Sequence, residues 1–510
     1  MDLNLKQEEI RYIKAVYRNT LVKEETAEVV VPDSLPDIMR IIDADAVALL
    51  RSKEADGGRV TITGIVNVSV IYIPDGVAGI RKMEANLPFS VTAENAGITQ
   101  ESLIVAKAEV ISADARALNP RKIMTRVNLS VGILCGSQSE LQINTEVSGK
   151  EDCGIEVQNG RCEMDLTQEI CEKTFILSDE YKLPSAKPVI SEILKTSVKL
   201  KAEDAKVVGS KIIVKGSADS VIYYRSDAGE LESAEFSTSF SQVIESGIEE
   251  DAVSDVTLML TGVYVNTELN SADEERNIML ELHAVAQCVT YCRRNAEYIC
   301  DAYSTKYALE AEYAQEEIES YGGMELVTEL VRGSMETPSM VRNIIGVSVA
   351  TGEVNSERTD TETIMRCDVN ASVIFTAEDG RVLTSTKRFT AEGAIQDTDS
   401  VLYADASCGS EIYTAMSGDG IELRLPVIFC ARRFEKEKIT NITKLACDEE
   451  NLLDLTGRPS VVLKRVESGD TLWKLAKRYN SKPEYIRQAN DIEDDKNLQI
   501  GQLLIIPKKR

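Results

Sequence analysis

The chain has 510 residues, which is too long for one hydrophobic core and predicts three or four domains. Its apolar share of 43% is typical of folded globular protein, and its net charge of −27 argues against nucleic acid and anionic membranes as partners. The acid excess lies in the first 460 residues. Residues 461–510 carry 11 Lys and Arg against 7 Asp and Glu, a balance of +4, so the rest carries −31 (−27 minus +4).

The amino terminus shows no export signal, because residues 1–10 contain neither a basic segment nor an apolar run. No apolar stretch reaches the length of a membrane span. The eleven cysteines are scattered and odd in number, as in a reducing cytosol, and their spacings are not those of a zinc site. We therefore expect a cytoplasmic protein that holds no metal or other cofactor.

One motif recurs three times along the body of the chain. Ser69–Tyr72 (Ser-Val-Ile-Tyr) returns as Ser220–Tyr223 and again as Ser372–Phe375, at offsets of 151 and 152 residues. Each copy follows a run typical of a strand and precedes a turn. A repeat of this length is a domain rather than a solenoid unit. The valines of the motifs are expected to be buried at equivalent places: Val70, Val221 and Val373.

The repeat reads mainly as strand. From Val60 to Tyr72 apolar residues occupy alternate positions, the period of a half-buried strand. A proline precedes the motif in each copy, and the short apolar stretch after it predicts one short helix per repeat; the prolines are Pro36, Pro184 and Pro338. The sequence predicts three antiparallel β-sandwich-like domains with minor helix, over residues 1–160, 161–320 and 321–440. The charged residues 441–460 predict a linker.

The last fifty residues have another pattern, which predicts strand, helix, helix and strand over residues 461–510. Asp470 or Thr471 can cap the first helix, and Pro483 suits the first turn of the second. The first helix has one apolar stripe, formed by Leu472, Leu475, Ala476 and Tyr479. We expect this small α+β module to fold alone.

This C-terminal segment resembles the LysM module, through Gly469-Asp470-Thr471-Leu472-Trp473 and Leu498-x-Ile500-Gly501-Gln502. The resemblance implies a binding module, usually for N-acetylglucosamine polymers such as peptidoglycan, with a groove between loops Gly469–Trp473 and Asn490–Ile500. Trp473 lies off the apolar stripe and should point toward the groove or outward, with Lys477 on the same helical face. Covering the module's core is its alternative role. The candidate binding residues are Gly469, Asp470, Thr471, Leu472, Trp473, Lys477, Asn490, Leu498 and Ile500.

Three such repeats followed by a LysM module resemble the SPOCS domain family of spore coat assembly proteins. The resemblance implies a non-enzymatic protein of the mother-cell cytosol, acting at the forespore surface. It implies a coat morphogenetic ATPase of the SpoIVA type as the partner of the LysM module. The third copy departs most from the pattern, with Thr337 before its proline and Asp368 near the place of Gly64 and Gly216.

No catalytic motif stands out in the sequence. There is no phosphate-binding glycine loop, and the single histidine, His283, alternates with apolar residues as a structural strand residue does. Two function classes remain open. One is a cytosolic assembly protein that binds proteins; the other is a carbohydrate-binding protein that anchors to peptidoglycan or spore cortex. The absence of an export signal favours the first.

Overall fold

The computed structural model describes residues 3–148, 153–248, 251–272, 274–396, 400–417, 420–453, 459–492 and 498–507. Within these ranges the chain is mainly antiparallel sheet, and both of its helices lie in the last fifty residues. The predicted class, a mainly β multi-domain protein with a small α+β module at its end, is confirmed. Neither helix is long and apolar enough to cross a membrane within the described part of the chain.

The first repeat consists of two three-stranded sheets, with orders β1-β6-β5 and β2-β3-β4. Their facing sides share one core that includes Val68 of β3 and Val131 of β6, as in a sandwich. Its strands are β1 (Leu5–Val30), β2 (Ile38–Asp56), β3 (Arg59–Pro74), β4 (Arg81–Glu94), β5 (Leu103–Asn119) and β6 (Lys122–Val147).

The second repeat uses the same pairings, but its halves join into one sheet of order β10-β9-β8-β11-β12-β7 because Val253 on β11 pairs with Lys206 on β8. Its strands are β7 (Ile155–Lys182), β8 (Ile190–Val208), β9 (Lys211–Ser226), β10 (Leu231–Glu245), β11 (Ala252–Leu269) and β12 (Glu275–Ser304).

The third repeat keeps this plan with two strands split in two: β14 and β15 both pair with β16, and β18 and β19 both pair with β20. Its strands are β13 (Tyr307–Glu336), β14 (Val341–Thr351), β15 (Asn355–Arg358), β16 (Thr363–Ala377), β17 (Val382–Ile395), β18 (Val401–Cys408), β19 (Tyr413–Ser417) and β20 (Gly420–Leu452).

The structure shifts the predicted repeat alignment by one residue in the second copy. The Tyr72 hydroxyl donates to the Pro36 carbonyl (3.1 Å), and the Tyr224 hydroxyl donates to the Pro188 carbonyl (3.2 Å). Pro188, not Pro184, is therefore the counterpart of Pro36, and Ile222 is the counterpart of Val70. The prediction for Val221 was wrong, because a step of one residue turns a strand side chain to the opposite face and leaves Val221 only half-buried.

The predicted short helix after each proline is a strand: β2, β8 or β14. Each of these strands has two bulges near its start, which in β2 lie between Ile38 and Arg40 and between Ile41 and Asp43. An extra residue at each bulge interrupts the alternation of period two. Apolar residues then fall at Ile38, Ile41 and Ile42, the i, i+3, i+4 spacing of a helix, and this coincidence made the prediction wrong.

The bulges bring the three repeats together at one junction. The residues inside the second bulge of each strand, Ile42, Leu194 and Ile345, are buried in a single cluster with the equivalent residues of the next strand, which are Ile71, Tyr223 and Ile374. Beside them Lys195 binds Asp43 (2.6 Å) and Asp45 (3.1 Å) across the first and second repeats. The three repeats therefore form one body.

The three longest strand pairs, β1/β6, β7/β12 and β13/β20, extend past the other strands of their repeats and pack on one another. All six strands contribute to one core there, formed by Tyr12, Leu141, Ile143, Met164, Leu166, Ala296, Tyr298, Ile318 and Ile439. The Asn144 backbone N–H donates a buried hydrogen bond to the Asn441 side-chain oxygen (3.0 Å) and joins two of these strand pairs. We call this bundle the stalk: residues 5–15, 136–147, 155–168, 291–304, 307–321 and 434–452.

The stalk corrects the expected domain limits. The limits near residues 160 and 320 fall inside β7 and β13, and most of the expected linker 441–460 is strand. Ile442 and Leu445 on β20 are fully buried, and Ile442 pairs with Tyr313. Charged residues alternate with these apolar ones because one face of the β13/β20 strand pair meets water, and this gave the stretch the composition of a linker. Residues 454–458 lie outside the described residues.

The C-terminal module consists of β21 (Val461–Arg465), α1 (Leu472–Tyr479), α2 (Pro483–Ala489) and β22 (Leu503–Pro507). This is the predicted order, and β21 pairs with β22 antiparallel. Its buried core consists of Val466, Leu472, Leu475, Ala476, Ile486, Leu504 and Ile506, joined by Tyr303 of β12.

Candidate functional site

The first predicted groove loop is a tight helix start. Gly469 has φ of 83°, a backbone conformation that other residues rarely adopt. The Thr471 hydroxyl accepts from the Lys474 N–H (3.1 Å) and caps α1, and Asp470 accepts from the Glu467 N–H (3.0 Å). Leu472 is fully buried in the core. In this structure these four candidates shape the loop.

The second predicted loop begins with another structural residue. The Asn490 amide donates to the carbonyls of Ile486 and Ile505 (both 2.7 Å), and its oxygen accepts from the Ile505 N–H (2.7 Å). It ties the end of α2 to β22. Farther along, Leu498 packs half-buried against the core, and Ile500 is 74% exposed. Residues 493–497 of this loop lie outside the described residues.

Trp473 packs half-buried against the module's core cluster, at the place where Tyr303 of the stalk joins that cluster. Its indole N–H donates to Asp301 Oδ2 (2.8 Å), and Lys477 Nζ lies 2.6 Å from Asp301 Oδ1. The Tyr303 ring stands edge-on to the indole, with centroids 5.0 Å apart. The helical spacing thus brought Trp473 and Lys477 together as predicted, but both bind a carboxylate of the second repeat.

Further contacts surround this pair. The Tyr303 hydroxyl donates to the Ser481 carbonyl (2.6 Å), and Lys482 pairs with Glu156 (2.7 Å). Burial alone would raise the pKa of Asp301, but hydrogen bonds from Lys477, Trp473 and Tyr313 outweigh it and lower that pKa. Sequence reasoning missed Asp301 and Tyr303, since they precede Trp473 by more than 160 residues and carry no motif.

A separate surface of the module is apolar and open to solvent. On the outer side of the β21–β22 sheet, Leu463 pairs with Ile505, and the four side chains of this side are between 39% and 61% exposed. We call it the apolar face: Val461, Leu463, Leu503 and Ile505. The exposed Arg465 lies opposite Leu503 at its edge. A cluster of large exposed aliphatic side chains on a small module is typical of a protein-binding surface.

His283 lies on β12 with its Nε2 2.7 Å from Glu281 Oε1 and its ring 5.1 Å from that of Tyr264. No group of His, Cys, Asp and Glu within the described ranges could hold a metal ion. Within the described residues none of the eleven cysteines forms a disulfide bond, and burial raises the pKa of Cys135 and Cys367 to about 11, which keeps these two thiols protonated and unreactive.

These features define a multi-domain β protein that ends in a small module with one exposed apolar side. Residues 465–507 match the LysM domain family, and residues 37–118 and 189–268 match the family described as SipL, SPOCS domain. Both families are binding or scaffold domains without a catalytic role. The chain is therefore a sporulation coat-related protein that carries SPOCS domains of the SipL family and a module of the peptidoglycan-binding type. No curated protein and no solved structure matches it significantly.

The two SPOCS matches lie within the first and second repeats, over β2–β5 and β8–β11, and one core pair shows how the third repeat differs. Gly64 pairs with Phe89, and Gly216 pairs with Phe240; a Cβ on either glycine would lie within 3 Å of that ring. In the third repeat Cys367 pairs with Ala391 at this place. The third repeat thus replaces a glycine–phenylalanine pair by a smaller cysteine–alanine pair, and its sequence pattern differs at this place.

Proposed function

We propose that the chain is a non-enzymatic spore coat assembly protein. It acts in the mother-cell cytosol, at the forespore surface, and binds a coat morphogenetic ATPase of the SpoIVA type through its LysM module. The observation that carries this proposal is the apolar face of the module, which is exposed and lies apart from the residues that contact the stalk.

The chemistry of the apolar face favours a protein over a glycan. Sugar rings stack on aromatic side chains and hydrogen-bond to polar groups, whereas the apolar face offers aliphatic ones. The chain's single tryptophan, Trp473, is already bound to Asp301 and Tyr303. Desolvating aliphatic side chains against a complementary surface is the usual driving force of protein association.

Charge favours a partner distinct from the body of the chain. The module carries +4 and the remaining residues −31, and Arg465 borders the apolar face. A basic residue at the edge of an apolar surface on a basic module favours an acidic partner surface and speeds association at low salt. We expect the ATPase to meet the apolar face with aliphatic residues and to place a carboxylate near Arg465.

Leu463→Glu and Leu503→Glu test the proposal in the full chain. Each places a charge in a desolvated contact, so binding to the purified ATPase should weaken by at least about tenfold, or about 1.4 kcal/mol. The matched control is Val208→Glu, since Val208 is 57% exposed on the second repeat and Leu463 is 61% exposed. If titration calorimetry shows that both leucine variants bind the ATPase as tightly as the wild type does, the proposal is wrong.

Glycan binding is the second candidate, because the LysM match itself suggests it. Co-sedimentation of the full chain with insoluble peptidoglycan separates the two. Binding to peptidoglycan that survives Leu463→Glu, together with no binding to the ATPase, would assign the module to glycan.

A further inference from the structure

We propose that the stalk tip is a docking site for the LysM module, and that Trp473 and Lys477 are positioning residues that hold the module there in one orientation. The stalk tip consists of Glu156, Asp301, Tyr303 and Ser304. Any partner then meets the module and the stalk as one rigid body with the apolar face outward. This inference concerns the chain's own contacts and holds whether the partner is the ATPase or a glycan.

The first observation is the shared carboxylate. Asp301 accepts from Trp473 through one oxygen and from Lys477 through the other, so both acceptor sites are used by one face of α1. The Tyr313 hydroxyl of β13 also donates to Oδ1 (2.9 Å). The third repeat thus fixes the orientation of a side chain from the second repeat, and the carboxylate is oriented before the module binds.

The second observation is that the module's core is completed by the stalk. Tyr303 is only 5% exposed and lies within the same core as Leu472 and Ile486, and its hydroxyl satisfies the Ser481 carbonyl. Withdrawing the module would expose that ring together with the indole of Trp473. Apolar burial of this kind stabilises a lasting contact rather than a transient one.

The third observation is complementary charge. Lys477 faces Asp301 and Lys482 faces Glu156, so both ion pairs join a basic module to an acidic stalk. The side-chain amide of Asn480 donates to the Ser304 carbonyl (3.4 Å) between them. Contacts therefore run from α1 through the turn that follows it to the start of α2. Because the two ion pairs are separated and a hydrogen bond lies between them, they set the orientation of the module on the stalk as well as its affinity.

The docked orientation gives Trp473 a role other than direct contact with a partner. A binding partner that used the indole directly would have to displace Asp301 and Tyr303 first. We therefore assign Trp473 to the docking contact, so its replacement changes partner binding through the orientation of the module.

Trp473 also serves as an intrinsic fluorescence probe, because it is the only tryptophan in the chain. In the full-length protein its time-resolved fluorescence anisotropy should decay with the slow rotation of the whole chain. Asp301→Asn keeps the shape of the side chain and removes its charge, and Lys477→Gln makes the matching change in the module. Each should shift the docking equilibrium by at least about tenfold, or about 1.4 kcal/mol. A fast decay component and stronger acrylamide quenching should then appear.

Lys474→Gln is the control, since Lys474 is on the same helix but its Nζ donates to the Gly469 carbonyl within the module. It should behave as the wild type does. Circular dichroism checks that each variant keeps its sheet, and the Lys477 variant leaves the stalk sequence untouched. A dominant fast component in the wild-type chain, or wild-type anisotropy and quenching in both Asp301→Asn and Lys477→Gln, would overturn the proposal.

Discussion

Lys195→Met should uncouple the first and second repeats. The Lys195 side chain is 2% exposed, lies between Asp43 and Asp45, and stands 4.4 Å above the Tyr223 ring. Methionine fills a similar volume but leaves Asp43, which is 5% exposed, buried without its cation. Removing one partner of a buried ion pair typically costs about 3–5 kcal/mol. At the equivalent place the third repeat has Gly346, where a Cβ would lie 2.3 Å from the Tyr223 hydroxyl, so the residues of the junction are not interchangeable.

Urea unfolding of the full chain, followed by circular dichroism, measures this cost. Lys195→Met should lower the free energy of unfolding of the first transition by several kcal/mol, and Asp43→Asn added to it should restore part of the loss. Lys82→Met, which breaks the exposed pair with Glu84, serves as the control and should cost at most about 1 kcal/mol. If Lys195→Met is no less stable than Lys82→Met, the repeats do not depend on this junction and the single-body description is wrong.

Two further predictions concern the core and the stalk tip. Gly64→Ala should lower the thermal unfolding midpoint, because the added Cβ would lie 2.3 Å from the Phe89 ring and 2.5 Å from the Leu49 carbonyl. Gly57→Ala is the control and should leave the midpoint nearly unchanged, since there is open space around Gly57. Equal midpoints of the two variants would contradict the packing described. The lowered pKa of Asp301 stabilises docking above the ordinary aspartate pKa of about 4, and this contribution is lost as the pH falls through the lowered value. Lys477, Trp473 and Tyr313 face that carboxylate, and the ion pair of Lys482 with Glu156 lies nearby. Acid should therefore increase the acrylamide quenching of Trp473 in the wild type, and an acid step that persists unchanged in Asp301→Asn would contradict this prediction.

The strands were predictable because alternation survives in a sheet with one wet face. In β3 every second residue from Val60 to Tyr72 is buried, as the sequence indicates. The bulges were not predictable, since an inserted residue leaves no composition signal and changes only the phase of the pattern. For the same reason the sequence alignment of the second repeat was off by one residue and took Val221, instead of Ile222, as the counterpart of Val70. The sequence also could not show which apolar residues meet at the junction of the three repeats, because these contacts join residues about 150 positions apart in the chain.

In the LysM module, what depends on neighbours in sequence was predictable. Thr471 caps its helix, and Trp473 and Lys477 share a face, because both follow from helix geometry. What the pair binds was not predictable, since Asp301 is one of 84 acidic residues and is made special only by the stalk that carries it. Asn490 was expected in a groove, but its amide matches the backbone of β22, a role that requires the position of a strand 15 residues away.

A binding titration of the full chain with the purified coat ATPase tests the proposed function most directly, with Trp473 anisotropy recorded at each addition. The proposals predict saturable binding that Leu463→Glu weakens by at least about tenfold, while the module stays docked and no fast anisotropy component appears. Absence of binding to the ATPase alongside binding to peptidoglycan would contradict the proposed function. Binding that frees Trp473 from the stalk would contradict the docked orientation instead.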